Sequence, residues 1–255
     1  MQPKKTVKLY DEQYAIKGWG EHKAETGLRQ WFKENVYLRN PYSFVLYKWL
    51  GKSTSSNITL FDAGCGNGNR SALLAKQGFN VIGGDISSVS IKQAKKRYSK
   101  YPNLEFLKCD LHSVPFKANT FDYIVCFDVM EHVSKPDKVL SELNRILKPR
   151  GNVIIEYETT ENESRILETA KSLKVTFLKG EDMKQLFSKY FVIKKHFYNG
   201  QLRISIKFEK LIDKICATPV RPLFFFGETL IALIFGRKIK GISLFLLGEK
   251  NRDIS

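Results

Sequence analysis

A chain of 255 residues, with 43% hydrophobic and 27% charged side chains, can bury one substantial core and is too apolar to stay disordered. One domain with an elaboration is expected. Its 42 Lys and Arg against 26 Asp and Glu give a formal charge of +16. That excess favours an anionic partner (nucleic acid, phospholipid surface or phosphorylated substrate), unless it is only a lysine-rich, soluble surface; no long basic block points to either. The basic N-terminus (Lys4, Lys5, Lys8) lacks the apolar run of a signal peptide. Cys65, Cys109, Cys126 and Cys216 are widely spaced, with no CxxC pair or zinc spacing. They read as reduced thiols of a cytoplasmic protein.

In chain order, the middle of the sequence alternates short apolar runs with helical patterns. The run "ITLFD" (58–62) reads as a strand, followed by a helix over "GNRSALLAKQG" that Gly78 closes. "NVIGGD" (80–85) is the next strand, and Ser87 caps a helix over "SVSIKQAKKRYSKY" whose lysines form a solvated face. Strands follow at "LEFLKCD" (104–110) and "FDYIVCFD" (121–128), then a helix over "KPDKVLSELNRILK" with a one-sided stripe of Val139, Leu140, Leu143, Ile146 and Leu147. "GNVIIEYE" (151–158) is a fifth strand, "EDMKQLFSKY" a helix, "FVIKKHF" a sixth strand and "GISLFLLGEK" (241–250) the last. This succession predicts an α/β, Rossmann-like, doubly wound and mostly parallel sheet of seven strands.

The segment "LFDAGCGNGN" places Gly64, Gly66 and Gly68 straight after the first strand. A glycine-rich turn at that point lets backbone N–H groups and a helix N-terminus approach a ligand closely. The pyrophosphate-gripping GxGxxG would want a glycine where Asn69 stands, so the frame is not that of a nicotinamide dinucleotide site. Acids end three successive strands: Asp62 ready to accept from a cation or hydroxyl, Asp85 where an acid reaches ribose hydroxyls, and Asp110 where it could accept from an adenine amino group. Each alone could be a helix N-cap; together with the glycines they read as one ligand-binding rim.

The stretches "LFDAGCGNG", "VIGGDIS", "FLKCDL", "FDYIVCFDVMEHV" and "LNRILKPRG" resemble, in order, the motifs of the class I S-adenosylmethionine-dependent methyltransferases, from about Ile58 to Tyr157. The likeness implies that fold and that cofactor. It implies that Gly64, Cys65, Gly66 and Gly68 cradle the methionine part, with Asp62 near its amino end. It further implies Asp85 on the ribose, Asp110 on the adenine amino group, Ile86 and Leu111 sandwiching the adenine, and Phe127 near the reactive sulfur. On this reading the glycines leave room for a bulky cofactor against the backbone. Arg150 departs from the resemblance, standing where a second glycine is common, at the turn into the fifth strand.

Methyl transfer from a sulfonium depends chiefly on positioning, and a base is required only for a protonated acceptor. Candidates follow the fourth strand: Asp128, Glu131 and His132, with Asp128 and His132 sharing a face if the segment is helical. A similar segment of the ubiquinone-pathway O-methyltransferases reads Glu-x-x-Glu-His and is associated with a divalent metal. Metal-free relatives share the Glu-His pair, and no metal is assigned here. "LRNPYSF" (38–44) has an Asn-Pro-Tyr like that of amino methyltransferases acting on DNA or protein glutamine, but stands in the wrong slot and lacks a second proline. Residues 1–56 are instead expected to form an N-terminal helical lid, with Arg39 near the cofactor carboxylate and Trp19, Trp31, Phe32 and Tyr37 lining an acceptor pocket or packing the lid.

Residues 57–255 would then be the methyltransferase domain, with a basic and apolar helical insertion over 198–240 before the last strand. The apolar stretch Leu223–Phe235 contains Glu228, is too short to span a bilayer and is bracketed by Arg221, Arg237, Lys238 and Lys240. Such a helix can pack in the fold, cap an apolar acceptor pocket, or dock peripherally on an anionic membrane surface. The expected function is methyl transfer to a hydroxyl or amine of a small apolar or amphipathic molecule, such as a quinone precursor, lipid or lipid-linked sugar. The rivals are an RNA- or DNA-modifying methyltransferase and a non-catalytic binding module on the same fold. Nothing in the sequence sets the oligomeric state.

Overall fold

The structure is a computed structural model that describes residues 11, 48–53, 55, 57–159, 178–199 and 243–251. The elements are β1 (Thr59–Ala63), α1 (Asn69–Lys76), β2 (Asn80–Asp85), α2 (Ser88–Arg97), β3 (Leu104–Lys108), β4 (Phe121–Cys126), α3 (Pro136–Ile146), β5 (Leu147–Glu158), α4 (Gly180–Ser188), β6 (Phe191–Asn199) and β7 (Ser243–Lys250). The strands form one seven-stranded sheet in the order β3-β2-β1-β4-β5-β7-β6. β7 runs antiparallel to both β5 and β6, and the other pairings are parallel. The mostly parallel, doubly wound sheet is therefore the observed architecture.

Side-chain alternation along each strand divides the core into two layers. Phe61, Ile124, Val153 and Ile155 face a cluster completed by Val139, Leu140, Leu143 and Ile146 of α3 and by Met183 and Phe187 of α4. Leu60, Val125 and Ile154 face the opposite way, onto Leu74 and Ala75 of α1 and Ile91 and Ala94 of α2. Each fully buried aliphatic side chain of the α3 stripe contributes about 1.5–3 kcal/mol. The helix starts on Pro136, whose missing N–H removes nothing at a first-turn position. Ser87 caps α2 as expected, accepting the Ser90 N–H at 3.2 Å. The helix stops at Arg97 rather than continuing to Tyr101, because Tyr98–Asn103 must return the chain to β3.

β5 begins at Leu147, four residues before the predicted strand, because Leu147 already pairs with Phe121. The ladder then slips between Phe121 and Tyr123, and the extra residues bulge outward. Arg150 lies in that bulge with φ 64°, the left-handed conformation that a glycine adopts without strain. The departure from the resemblance at this position thus has a local structural consequence.

The order of strands reverses between β1 and β4, each flanked by the strands that lead away from it. In an open α/β sheet, ligands bind beyond the carboxyl ends of the strands at that reversal. Residues 64–70 and 127–132 occupy those ends. Tyr198 and Asn199, placed above in the insertion, belong to β6, and residues 200–242 lie outside the described residues. Trp19, Trp31, Phe32, Tyr37, Arg39 and Cys216 lie outside them as well. Among the described residues no helix is long and apolar enough to cross a membrane.

Candidate active site

The glycine loop is built on left-handed backbone, with φ of 75° at Gly64, 52° at Gly66 and 80° at Gly68. It is also built on close packing. A Cβ on Gly64 would run into Val129, and one on Gly68 would lie 2.5 Å from the Phe106 ring. At these two positions the protein's own turn and neighbours already demand glycine, before any ligand is considered. The loop is tied down by the Gly64 and Cys65 N–H groups, which donate to Gly84 O at 2.8 and 3.0 Å. Asp85 then fixes its centre: Oδ2 accepts the Gly66 N–H at 2.8 Å, and Oδ1 the Ser87 N–H at 2.9 Å. Asn69, where a dinucleotide loop would have glycine, accepts the Tyr98 hydroxyl through Oδ1 at 2.5 Å and so joins α1 to the end of α2.

Asp62 is fully buried under this loop. Its Oδ2 accepts the Ser71 hydroxyl at 2.6 Å, while Oδ1 has no hydrogen-bond partner. Burial pushes its carboxyl above the ordinary range, against the pull of the Arg70 charge and the Ser71 hydroxyl. Asp85 is raised for the same first reason, opposed by its backbone hydrogen bonds. Asp110 lies just beyond β3, where its Oδ1 accepts the His112 N–H at 2.9 Å and lies 2.7 Å from His112 Nδ1. Leu111 is buried and Ile86 half-buried beside these acids. Cys65 and Cys109 pack against the two glycines of β2, Gly83 and Gly84. Burial pushes the Cys109 thiol up to about 12, so it stays protonated and inert.

On the other side of the crevice, Phe127 is buried, with the Arg70 guanidinium 4.6 Å above its ring centre. Asp128 adopts φ 56° and exposes its side chain. Its backbone N–H donates to Glu156 Oε2 at 3.0 Å. The segment after it is a single 3₁₀ turn, Met130–His132, and not an α-helix. The shared helical face expected for Asp128 and His132 does not form, since the left-handed residue turns the chain before the helical hydrogen bonds can start. Glu131 is buried under this turn with Oε2 unpartnered, and its Oε1 lies 3.8 Å from His132 Nε2. Burial, reinforced by the Asp128 charge, pushes both Glu131 and Glu156 well above the ordinary carboxylate range. Burial pushes His132 the other way and keeps its imidazole neutral at neutral pH.

The structure thus brings Asp62, Gly64, Cys65, Gly66, Gly68, Asp85, Phe127, Asp128, Glu131 and His132 to one crevice. Asp110, Leu111 and Ile86 stand at its β2–β3 end. Sequence reasoning passed over Arg70, Ser71 and Glu156. Glu156 carried a signal, being an acid inside the apolar strand "NVIIEY", and Arg70 is the first cation after the glycines.

The methyltransferase domain family matches residues 61–155, the stretch from β1 through β5. That stretch carries a methyltransferase domain, on the fold of the class I S-adenosylmethionine-dependent methyltransferases. Demethylmenaquinone methyltransferase of Clavibacter sepedonicus is 33% identical over 96 residues, 38% of this chain and 39% of that protein. The mitochondrial ubiquinone biosynthesis O-methyltransferase of Schizosaccharomyces pombe is 33% identical over 104 residues, 39% of this chain and 38% of that protein. The methyltransferase domain thus spans under two-fifths of these curated relatives. Among solved structures, phosphoethanolamine N-methyltransferase 2 of Haemonchus contortus, in complex with S-adenosyl-L-methionine, superposes with a TM-score of 0.57 at 18% identity, covering 90% of this chain and 61% of that one. At that identity the likeness concerns the methyltransferase fold.

Proposed function

We propose that this protein transfers the methyl group of S-adenosylmethionine to a hydroxyl or amine of a small apolar or amphipathic molecule. The observation that carries the reading is the juxtaposition, at the strand-order reversal, of the Asp85-pinned glycine loop with the post-β4 turn bearing Asp128 and His132. The residues fit the cofactor. Asp62 keeps one buried oxygen without a partner for an ammonium. Asp85 keeps accepting capacity for ribose hydroxyls, because a carboxylate has about four acceptor sites and two are in use. Asp110 holds His112 through Oδ1 alone, so Oδ2 can accept from an adenine amino group. The bound cofactor supplies an electrophilic methyl group on a sulfonium.

The chain's own work is positioning and proton transfer. Phe127 and the glycine loop set the two walls between which the reacting groups meet. His132, neutral and half-buried, can accept the proton that an acceptor hydroxyl or ammonium releases. Glu131 is buried and touches no acceptor in this arrangement; it bears on the reaction by flanking His132. A quinone precursor as acceptor is supported by the activities for which the relatives from Clavibacter sepedonicus and Schizosaccharomyces pombe are named. Residues 1–56 as a lid and 200–240 as an insertion over the acceptor side complete the reading.

Calorimetric titration with S-adenosylmethionine and S-adenosylhomocysteine, with NADH as control, tests it. Micromolar binding of the first two, lost in Asp85→Ala and never seen with NADH, is the expected result. Absence of binding to both overturns the enzyme reading.

A further inference from the structure

We propose that Glu156 is a positioning residue for the reaction: from its buried place on β5 it holds the post-β4 turn in the left-handed bend that presents His132 to the acceptor. The inference rests on the methyltransferase reading and gives a task to an acid which that reading leaves unused.

The β4–β5 ladder ends with Cys126 opposite Ile155. Beyond that rung β4 leaves the sheet, while β5 runs on to Glu158 against β7. The Asp128 N–H, two residues past the last rung, goes to a side chain: Glu156 Oε2 accepts it at 3.0 Å. The Ser243 hydroxyl, at the start of β7, faces the same carboxyl. The acceptor for the turn is thus anchored inside the sheet, between strands paired on both sides of β5.

The conformation held in this way is strained on its own. Asp128 has φ 56°, a region that residues with a Cβ enter at a cost. Its side chain is exposed, and its ionic contact with Arg70 is long, at 3.5 Å. The bend also decides where the chain goes next. Val129 lies against Gly64, and the His132 N–H donates to Val129 O at 2.9 Å, closing the 3₁₀ turn Met130–His132. Relaxation of Asp128 to right-handed backbone would swing that turn, and the imidazole at its end, away from the crevice.

A carboxyl is a costly choice at this place. Glu156 is fully buried, in a strand whose neighbouring residues Ile154, Ile155 and Tyr157 are apolar and buried as well. Burial opposes its charge, and the Asp128 and Glu131 charges oppose it further. Another aliphatic residue would serve the core better, but would leave the Asp128 N–H without its acceptor. The position therefore trades stability for control of the turn.

The test uses the full chain with Glu156→Gln and Glu156→Leu, and thermal unfolding as the check on folding. Gln keeps a carbonyl oxygen for the Asp128 N–H, whereas Leu keeps much of the volume and no acceptor. S-adenosylhomocysteine affinity is read by calorimetry, and amide exchange at Asp128 and His132 and the titration midpoint of the His132 imidazole by NMR. In Glu156→Leu the two amides should exchange about tenfold faster or more. The His132 midpoint, lowered by burial in the wild type, should rise toward the ordinary imidazole range. Loss of a negative charge at 156 could only lower that midpoint, so a rise reports movement of the ring into water. S-adenosylhomocysteine affinity should stay within about twofold, because Asp85 holds the glycine loop independently. Glu156→Gln should match the wild type in all three. An unchanged His132 midpoint in Glu156→Leu, or the same rise in Glu156→Gln, overturns the proposal and leaves the methyltransferase reading standing. If Glu156→Leu fails to fold, Glu156→Asp decides, since the shorter side chain withdraws the carboxyl from the Asp128 N–H: a raised midpoint supports the proposal and an unchanged one overturns it. A wild type that binds no S-adenosylhomocysteine removes the methyltransferase reading and this proposal with it.

Discussion

Asp85 holds Gly66: the carboxylate at the end of β2 accepts the N–H at the centre of the glycine loop at 2.8 Å. Its second oxygen accepts the N–H of Ser87, the cap of α2. The residue expected to serve the ribose therefore also fixes the loop that lies against the ligand. Asp85→Asn keeps the shape but turns one acceptor into a donor facing an N–H. Hydrogen exchange at Gly66 and Ser87 should quicken, and S-adenosylhomocysteine affinity should fall about tenfold or more. Unchanged exchange at Gly66 with lost affinity would mean that the loop is held without Asp85.

His132 stands at the end of the 3₁₀ turn with its imidazole kept neutral by burial. A base acting only on the acceptor makes no demand on cofactor binding. His132→Ala should therefore lower turnover by about a hundredfold, within the range for general-base catalysis, and leave the S-adenosylhomocysteine Kd within about twofold. The limb of the pH–rate profile that falls on the acid side should disappear with it. Normal turnover in the variant would take His132 off the list of catalytic residues.

Much of this site is legible in the sequence because the signals are local. Glycines punctuate the end of β1, and acids at 62, 85 and 110 follow runs of apolar residues whose alternation marks the strands. What escapes is set by the fold. Arg70 acquires its place only because β1 and β4 are neighbours, which brings Phe127 under the guanidinium. Glu156 stands out in the sequence only as an acid inside an apolar strand; parallel pairing of β4 with β5 puts it beneath the Asp128 N–H. The left-handed Asp128 likewise ends a helical expectation that spacing alone supported. The glycines of the loop suggest room for a ligand, whereas Val129 and Phe106, distant in sequence, already fill the space at Gly64 and Gly68.

Glu131 and Glu156 give the protein a pH-dependent stability of unusual sign for carboxyls. Both are buried and raised, first by desolvation and then by Asp128, with Glu158 also facing Glu131 and His132 beside it. A folded value above the unfolded one means that the native state binds the extra proton. The stabilisation is full below the ordinary carboxylate range and is lost as pH rises through the raised folded values. Each unit of elevation corresponds to about 1.4 kcal/mol. Urea unfolding between pH 5 and 8 should show the wild type losing stability relative to Glu131→Gln and Glu156→Gln as pH rises. His132→Ala placed in all three chains removes the imidazole beside Glu131, so the difference isolates the carboxyls. Parallel curves would show that these groups are charged in the folded state.

Arg150 offers a test of backbone strain away from the crevice. It is exposed, lies in the bulge where β5 slips against β4, and holds φ 64°. A left-handed residue with a Cβ is strained by about 1–2 kcal/mol. Glycine removes that strain but loosens the unfolded chain, offsetting about 0.5–1 kcal/mol of the gain. Arg150→Gly should thus raise stability by roughly 0.5–1 kcal/mol, seen as a higher urea midpoint at unchanged slope. Arg150→Val, branched at Cβ, should move the midpoint down, because its side chain tolerates this conformation least. Both variants should bind S-adenosylhomocysteine as the wild type does, since the bulge lies at the start of β5 and the crevice beyond the strands' carboxyl ends. A destabilised Arg150→Gly would mean that the arginine side chain holds the bulge more strongly than its backbone resists it.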